Sequence, residues 1–120
     1  MSANALGNRR ILIIEDEPVI AVDLEAAVSE AGGEAVIAST IEQAQDELKL
    51  NRIDGAIVDM KLQGQSVRDL VDVLVERGTP FVIYTGMEDT PTVRRLPAVP
   101  VITKPAAPAT IVDCLTRSMV

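Results

Sequence analysis

The sequence predicts an α/β fold, a doubly wound parallel sheet of five strands with helices on both faces. Three observations predict it. Short apolar runs alternate with helical stripes five times along 120 residues, the pattern of strand–helix–strand units. The apolar runs are continuous rather than alternating, as strands covered on both faces require. Gly, Pro and capping residues punctuate the joins. The length suits one domain with a real core. Hydrophobic residues make up 48% of the chain, but the only aromatics are Phe81 and Tyr84. Val, Ile, Leu and Ala must therefore build that core.

Residues 1–8 read as a flexible leader, and a single domain is expected over 9–120. Arg10–Glu15 is the first strand. Pro18 suits the first turn of a helix, and Ile20, Leu24, Ala27, Val28 and Ala31 follow at helical spacing. Gly32-Gly33 ends it. Glu34–Ser39 is a second strand. Thr40 with Gln43 is a capping-box pair, opening a helix striped by Ile41, Ala44 and Leu48. Asp54–Val58 is a third strand, ending at Asp59. Gly64 breaks the next loop. Ser66 with Asp69 suggests a helix start, Val67, Leu70, Val71 and Leu74 give its stripe, and Gly78 stops it. Phe81–Tyr84 is a fourth strand, both aromatics reading as core or half-buried. Residues 87–98 should hold a helix of about two turns, bounded by Pro91 and Pro97. Val99–Thr103 is a fifth strand, and Pro100 puts it at a sheet edge. Pro108 opens a last helix carrying Ile111, Val112, Leu115 and Met119.

Composition excludes several functions. The net charge is −7, the wrong sign for a nucleic-acid backbone binder. Arg9-Arg10 and Arg94-Arg95 are isolated pairs, not patches, and Arg94-Arg95 reads as a solvated face. No apolar run is long enough to span a bilayer, and "MSANALGNRR" lacks a signal peptide's apolar stretch. A cytoplasmic protein without membrane insertion is expected. Cys114 is alone, so disulfides within the chain and thiolate metal clusters are ruled out; it reads as a small apolar residue of the last helix. The chain has no His, which removes Ser-His-Asp triads, imidazole ligands and phosphohistidine on this chain.

One stretch conflicts with a purely structural reading. "ILIIEDEP" runs from buried strand into Glu15, Asp16 and Glu17. Two carboxylates roughly 5 Å apart repel by about 1 kcal/mol in water and about 3 kcal/mol at a protein-like dielectric. In parallel sheets ligands bind at the carboxyl ends of the strands. Those ends carry Glu15 and Asp16, Asp59, Thr85 and Lys104. In the order 2-1-3-4-5 the first and third strands are neighbours, and three carboxylates converge beside a hydroxyl and an ammonium. Such a cluster suits Mg²⁺, which takes carboxylates, waters and phosphate oxygens. Cation, ammonium and hydroxyl together stabilise phosphoryl transfer. Asp59 is the candidate nucleophile, an aspartyl phosphate being an established use of a carboxylate.

In "IIEDEP", "IVDMKL", "VIYTG" and "ITKP", in that order at successive strand ends, the chain resembles the receiver domain of two-component response regulators. The resemblance covers about residues 9–119 and implies a flavodoxin-like (βα)5 fold. It implies that Asp59 accepts a phosphoryl group from a phosphohistidine on a histidine kinase or phosphotransfer protein, in a phosphorelay. Asp16, Asp59 and the Lys61 backbone carbonyl would ligate Mg²⁺, with Glu15 reaching it through water. Thr85 and Lys104 would bind phosphoryl oxygens, and the Lys104-Pro105 bond would be cis. Movement of Thr85 would be the switch step, altering the binding of a downstream protein. The chain would be no enzyme beyond its own aspartyl phosphorylation and dephosphorylation.

The chain departs from that pattern. Val101 stands where receivers usually carry a switch Tyr or Phe. Gln63 replaces the proline of the usual turn after the phosphoacceptor, while Gly64 remains. The short helix after Gly86 implies a differently shaped output surface. Thr85-Gly86 without the aromatic matches a group of stand-alone receivers. Lys61 and Met87, neither an acid nor an amide, imply no special acceleration of self-dephosphorylation. A phosphate-independent interaction module on the same fold is the alternative. A flavodoxin is disfavoured because "EDEPVI" would repel a flavin phosphate, and a haloacid-type phosphatase because it would want an Asp-x-Asp pair there and a cap domain, neither of which is read in the chain. Neither DNA-binding helices nor an enzyme module can be read, so a single-domain regulator and a piece of a larger protein are both expected forms.

Overall fold

A computed structural model describes residues 4–86 and 99–119. The main sheet holds five parallel strands: β1 (Arg10–Ile14), β2 (Glu34–Ala38), β3 (Gly55–Val58), β6 (Phe81–Thr85) and β7 (Val101–Thr103). Their order is β2-β1-β3-β6-β7, which is the expected 2-1-3-4-5 winding. A small antiparallel pair, β4 (Lys61–Leu62) and β5 (Gln65–Ser66), follows β3. The described helices are α1 (Pro18–Glu30), α2 (Ile41–Leu50), α3 (Arg68–Arg77) and α4 (Pro108–Ser118). The helix expected within 87–98, together with Arg94-Arg95 and Met87, lies outside the described residues.

Two cores flank the sheet. Leu12, Ile14, Ala56, Val58 and Ile83 pack with Leu48, Leu70 and Leu74 of α2 and α3. Ile11, Ile13, Ile57, Val82 and Tyr84 pack with Leu24, Val28, Ile111 and Leu115 of α1 and α4. Successive strand residues point to opposite faces, so a doubly covered strand needs apolar residues at every position. Strands β1, β3 and β6 are buried almost throughout. The outer strands β2 and β7 are not, and this corrects the expectation of uniformly buried strands. One side of each lacks a neighbouring strand to shield it. Pro100 precedes an edge strand, where its missing N–H costs no ladder bond.

The expectation of a loose leader is corrected for residues 4–8. Leu6 is fully buried against α1. Its N–H bonds the Ala31 carbonyl at 2.8 Å, and the Asn8 N–H bonds that of Gly32 at 2.8 Å. The two glycines after α1 divide the work. Gly32 takes φ 83°, a left-handed value that ends the helix. Gly33 leaves room for Leu6, whose Cδ1 would stand 2.6 Å from any Cβ there. A single leucine at position 6 carried no periodic signal.

Helix starts show what local chemistry decides. Thr40 caps α2, its side chain accepting from the Gln43 N–H at 3.1 Å. The Gln43 side chain reaches back to the Ser39 N–H at 2.8 Å, one residue before the usual capping-box partner. The helix start read at Ser66 is moved by two residues: Ser66 lies in β5 and α3 begins at Arg68, whose N–H donates to the Ser66 hydroxyl at 3.2 Å.

Asp54 pins the first rung of the sheet. Its Oδ2 accepts from the Arg10 N–H at 2.9 Å, and Arg52 bonds its other oxygen at 3.0 Å. The backbone bond from Arg10, ahead of the Arg52 charge, holds the Asp54 pKa below its ordinary value. A lowered folded-state pKa stabilises above the unfolded value and is lost as pH falls through the folded one. Asp54→Asn is expected to cost about 1 kcal/mol at pH 7, and less at pH 3. Urea denaturation at both pH values measures this.

Candidate phosphoryl-transfer site

The site is built at the carboxyl ends of β1, β3, β6 and β7. β1 runs straight into Glu15 and Asp16, and β3 into Asp59. Because β1 and β3 are adjacent, carboxylate oxygens of Glu15, Asp16 and Asp59 lie within 4.8 Å of one another. Glu15 and Asp59 are buried and Asp16 is half-buried.

Lys104, from the end of β7, lies across two of these acids. Its Nζ is 2.9 Å from Glu15 Oε1 and 2.9 Å from Asp59 Oδ2. Thr85, the last residue of β6, donates its hydroxyl to Asp59 Oδ1 at 3.0 Å. The Lys61 N–H reaches the same oxygen at 3.2 Å. Both oxygens of Asp59 thus meet positive or donor groups. The Lys104-Pro105 bond is cis.

The electrostatics follow from this crowding. Burial is the main force on Glu15, and with the nearby Asp59 charge it outweighs the Lys104 and Glu17 bonds. The Glu15 pKa is raised to about 7. Burial also works against the Lys104 charge, but the bonds and charges of Glu15 and Asp59 together hold its pKa above the ordinary lysine range. Three carboxylates and one ammonium leave a charge of −2 when all are ionised. The donors are all oxygens, the set a hard divalent cation prefers. Glu15, Asp16 and Asp59 therefore fit Mg²⁺ in both spacing and charge.

Sequence reasoning missed three features. Glu17, largely exposed, is 3.7 Å from Lys104. Asp16 is tethered, its Oδ2 accepting from the Gln63 N–H at 2.8 Å. The tether depends on the β4–β5 hairpin, whose loop is Gln63 at φ 52° and Gly64 at φ 78°. Paired positive φ values are those of a type I′ turn. Proline could supply neither this φ nor the N–H, so the replacement noted at position 63 creates the hairpin and the tether together. A two-residue loop ending in Gly between Lys61-Leu62 and Gln65-Ser66 was the available signal. Gln63→Pro is expected to cost about 2 kcal/mol in thermal denaturation and to free Asp16. Third, the Tyr84 hydroxyl bonds both backbone groups of Ala106.

The sequence profile described as "Response regulator receiver domain" matches residues 11–116. No curated protein sequence matches the chain. Among solved structures, SdrG from Sphingomonas melonis Fr1 is 32% identical at a TM-score of 0.77, covering 96% of this chain and 98% of its own. The REC domain of the Erythrobacter litoralis PhyR response regulator is 29% identical at 0.81, covering 96% and 92%. The response regulator PhyR from Brucella abortus is 29% identical at 0.78, covering 92% of this chain. The chain spans only 47% of that last protein.

Proposed function

This chain belongs to the response regulator receiver domain family, and from that premise we propose that it is a phosphoacceptor whose Asp59 is charged by a phosphohistidine. One observation carries the reading: Asp59 lies in the acidic cluster while Thr85 and Lys104 bond its two carboxylate oxygens. The donor would be a histidine kinase or a histidine phosphotransfer protein. An Asp59 oxygen attacks phosphorus, a P–O bond forms, and the P–N bond of the donor breaks. The bonding pair leaves with the imidazole, which takes a proton from solvent. Thr85 and Lys104, now on Asp59, pass to the incoming phosphoryl oxygens and neutralise charge there.

Asp16 and Asp59 would hold Mg²⁺ directly, with the Lys61 carbonyl, and Glu15 through water. The ion, when bound, supplies two positive charges to offset those of the phosphoryl group. The chain turns over no separate substrate, and its product is its own phosphorylated form. That form would bind a downstream protein differently, through movement of Thr85. Among the described residues no helix is long and apolar enough to cross a membrane. We place the exchange in the cytoplasm.

Incubation with a small acyl phosphate, followed by intact mass measurement, tests the reading. Addition of one phosphoryl group only when Mg²⁺ is present is expected. A second reading, phosphate-independent partner binding, is favoured by Val101, an exposed aliphatic residue at the usual switch position. Absence of any adduct from small donors and from a kinase would favour that second reading.

A further inference from the structure

Tyr84 lines a cavity of about 220 Å³ together with Leu24, Lys104, Ala106 and Ile111. Only 5% of the residue is exposed, within the core between the sheet, α1 and α4. Burial alone would make it a packing residue, but its polar end does more. The hydroxyl accepts from the Ala106 N–H at 3.0 Å and donates to the Ala106 carbonyl at 3.3 Å. Two bonds to one residue tie β6 to the segment just past Lys104. The ring also lies under the ammonium, with Lys104 Nζ 5.6 Å from its centroid, inside the range of a cation–π attraction.

Lys104 needs such support. A lysine stem has four rotatable carbons and loses much rotamer freedom when held in one place. Its ammonium nevertheless bridges Glu15 and Asp59 at 2.9 Å each. Val101 supplies no ring to the site, being aliphatic and 45% exposed. The ring available lies instead on the neighbouring strand, where Tyr84 pairs with Ile102.

We propose that Tyr84 is a positioning residue, whose hydroxyl anchors the Lys104–Ala106 segment and whose ring steadies the Lys104 ammonium on Asp59 for phosphoryl transfer. The kinetic part of this inference rests on the phosphoacceptor reading. The placement of Lys104 does not, and it can be read separately.

Two variants separate the parts of the side chain. Tyr84→Phe keeps the ring and removes the hydroxyl, and Tyr84→Leu removes both. The first readout is the ¹⁵N-resolved signal of the Lys104 ammonium in the full chain, with Lys104→Gln identifying it. The expected result is a displaced or broadened signal in Tyr84→Phe and loss of the signal to solvent exchange in Tyr84→Leu. The second readout is phosphorylation by a small acyl phosphate. The limiting rate should fall about fivefold and about twentyfold respectively. The Mg²⁺ concentration for half-maximal rate should stay within about twofold, because no proposed metal ligand has changed. General unfolding would not leave that concentration fixed. An unmoved Lys104 signal in both variants overturns the proposal. So does a rate loss accompanied by an equal weakening for Mg²⁺. A displaced Lys104 signal in a chain that takes no phosphoryl group supports the placement and overturns the phosphoacceptor reading instead.

Discussion

Lys104→Met is expected to destabilise the metal-free protein by about 3 kcal/mol at pH 8, and by clearly less at pH 5. The size follows from what remains. Glu15 and Asp59 are 2% and 7% exposed, and the ammonium that bridges them at 2.9 Å to each would be gone. Removing one partner of a buried ion pair leaves the other charge without compensation. The pH trend follows from Glu15, whose pKa burial already raises to about 7, chiefly against the opposing bond from Lys104.

The sign is fixed by linkage. A carboxyl whose folded pKa lies above its unfolded value binds its proton more tightly when folded. Stability from that group is complete below the unfolded value and declines as pH rises through the folded one. Without Lys104 the Glu15 pKa rises further, so the decline is deeper and extends to higher pH. Near pH 5 Glu15 is protonated and the missing ammonium matters least. Mg²⁺ should restore part of the loss at pH 8, since it supplies positive charge to the same carboxylates. Denaturation at pH 5 and pH 8 in a chelator, then with Mg²⁺, measures all three trends. An equal deficit at both pH values would assign the effect to packing and not to charge.

Asp59→Asn should abolish the Mg²⁺-dependent phosphoryl adduct while leaving the protein folded. An amide nitrogen cannot take the place of the attacking oxygen, and no His on the chain offers a substitute nucleophile. The fold is expected to survive because Glu15 still holds Lys104 at 2.9 Å. Mg²⁺ binding should weaken roughly tenfold, as affinity follows the number of charged oxygen ligands. In the wild-type chain, Mg²⁺ at ten times its dissociation constant should add about 1.4 kcal/mol of stability, and this gain should shrink in the variant. Intact mass and thermal denaturation across a Mg²⁺ series give both results. An adduct persisting in Asp59→Asn would move the phosphoacceptor to another carboxylate.

The parallel sheet and the identity of the acids at its mouth were legible in the order of residues alone. Strands such as "ILII" and "GAIV" are buried on both faces, so nearly every residue in them must be apolar, and that leaves a pattern visible without coordinates. The winding rule then gathers the residues just past the strands, so Glu15, Asp16, Asp59, Thr85 and Lys104 could be named together. How they are joined emerged only on folding. That Lys104 bridges Glu15 and Asp59, that the Gln63 N–H tethers Asp16, that the Tyr84 hydroxyl grips Ala106, and that Leu6 seats over Gly33 are contacts across 22 to 89 residues of chain or between turns. Periodicity reports which side of an element is buried. It carries no information about a loop's φ angles or the reach of a single side chain, and those set which polar atoms meet.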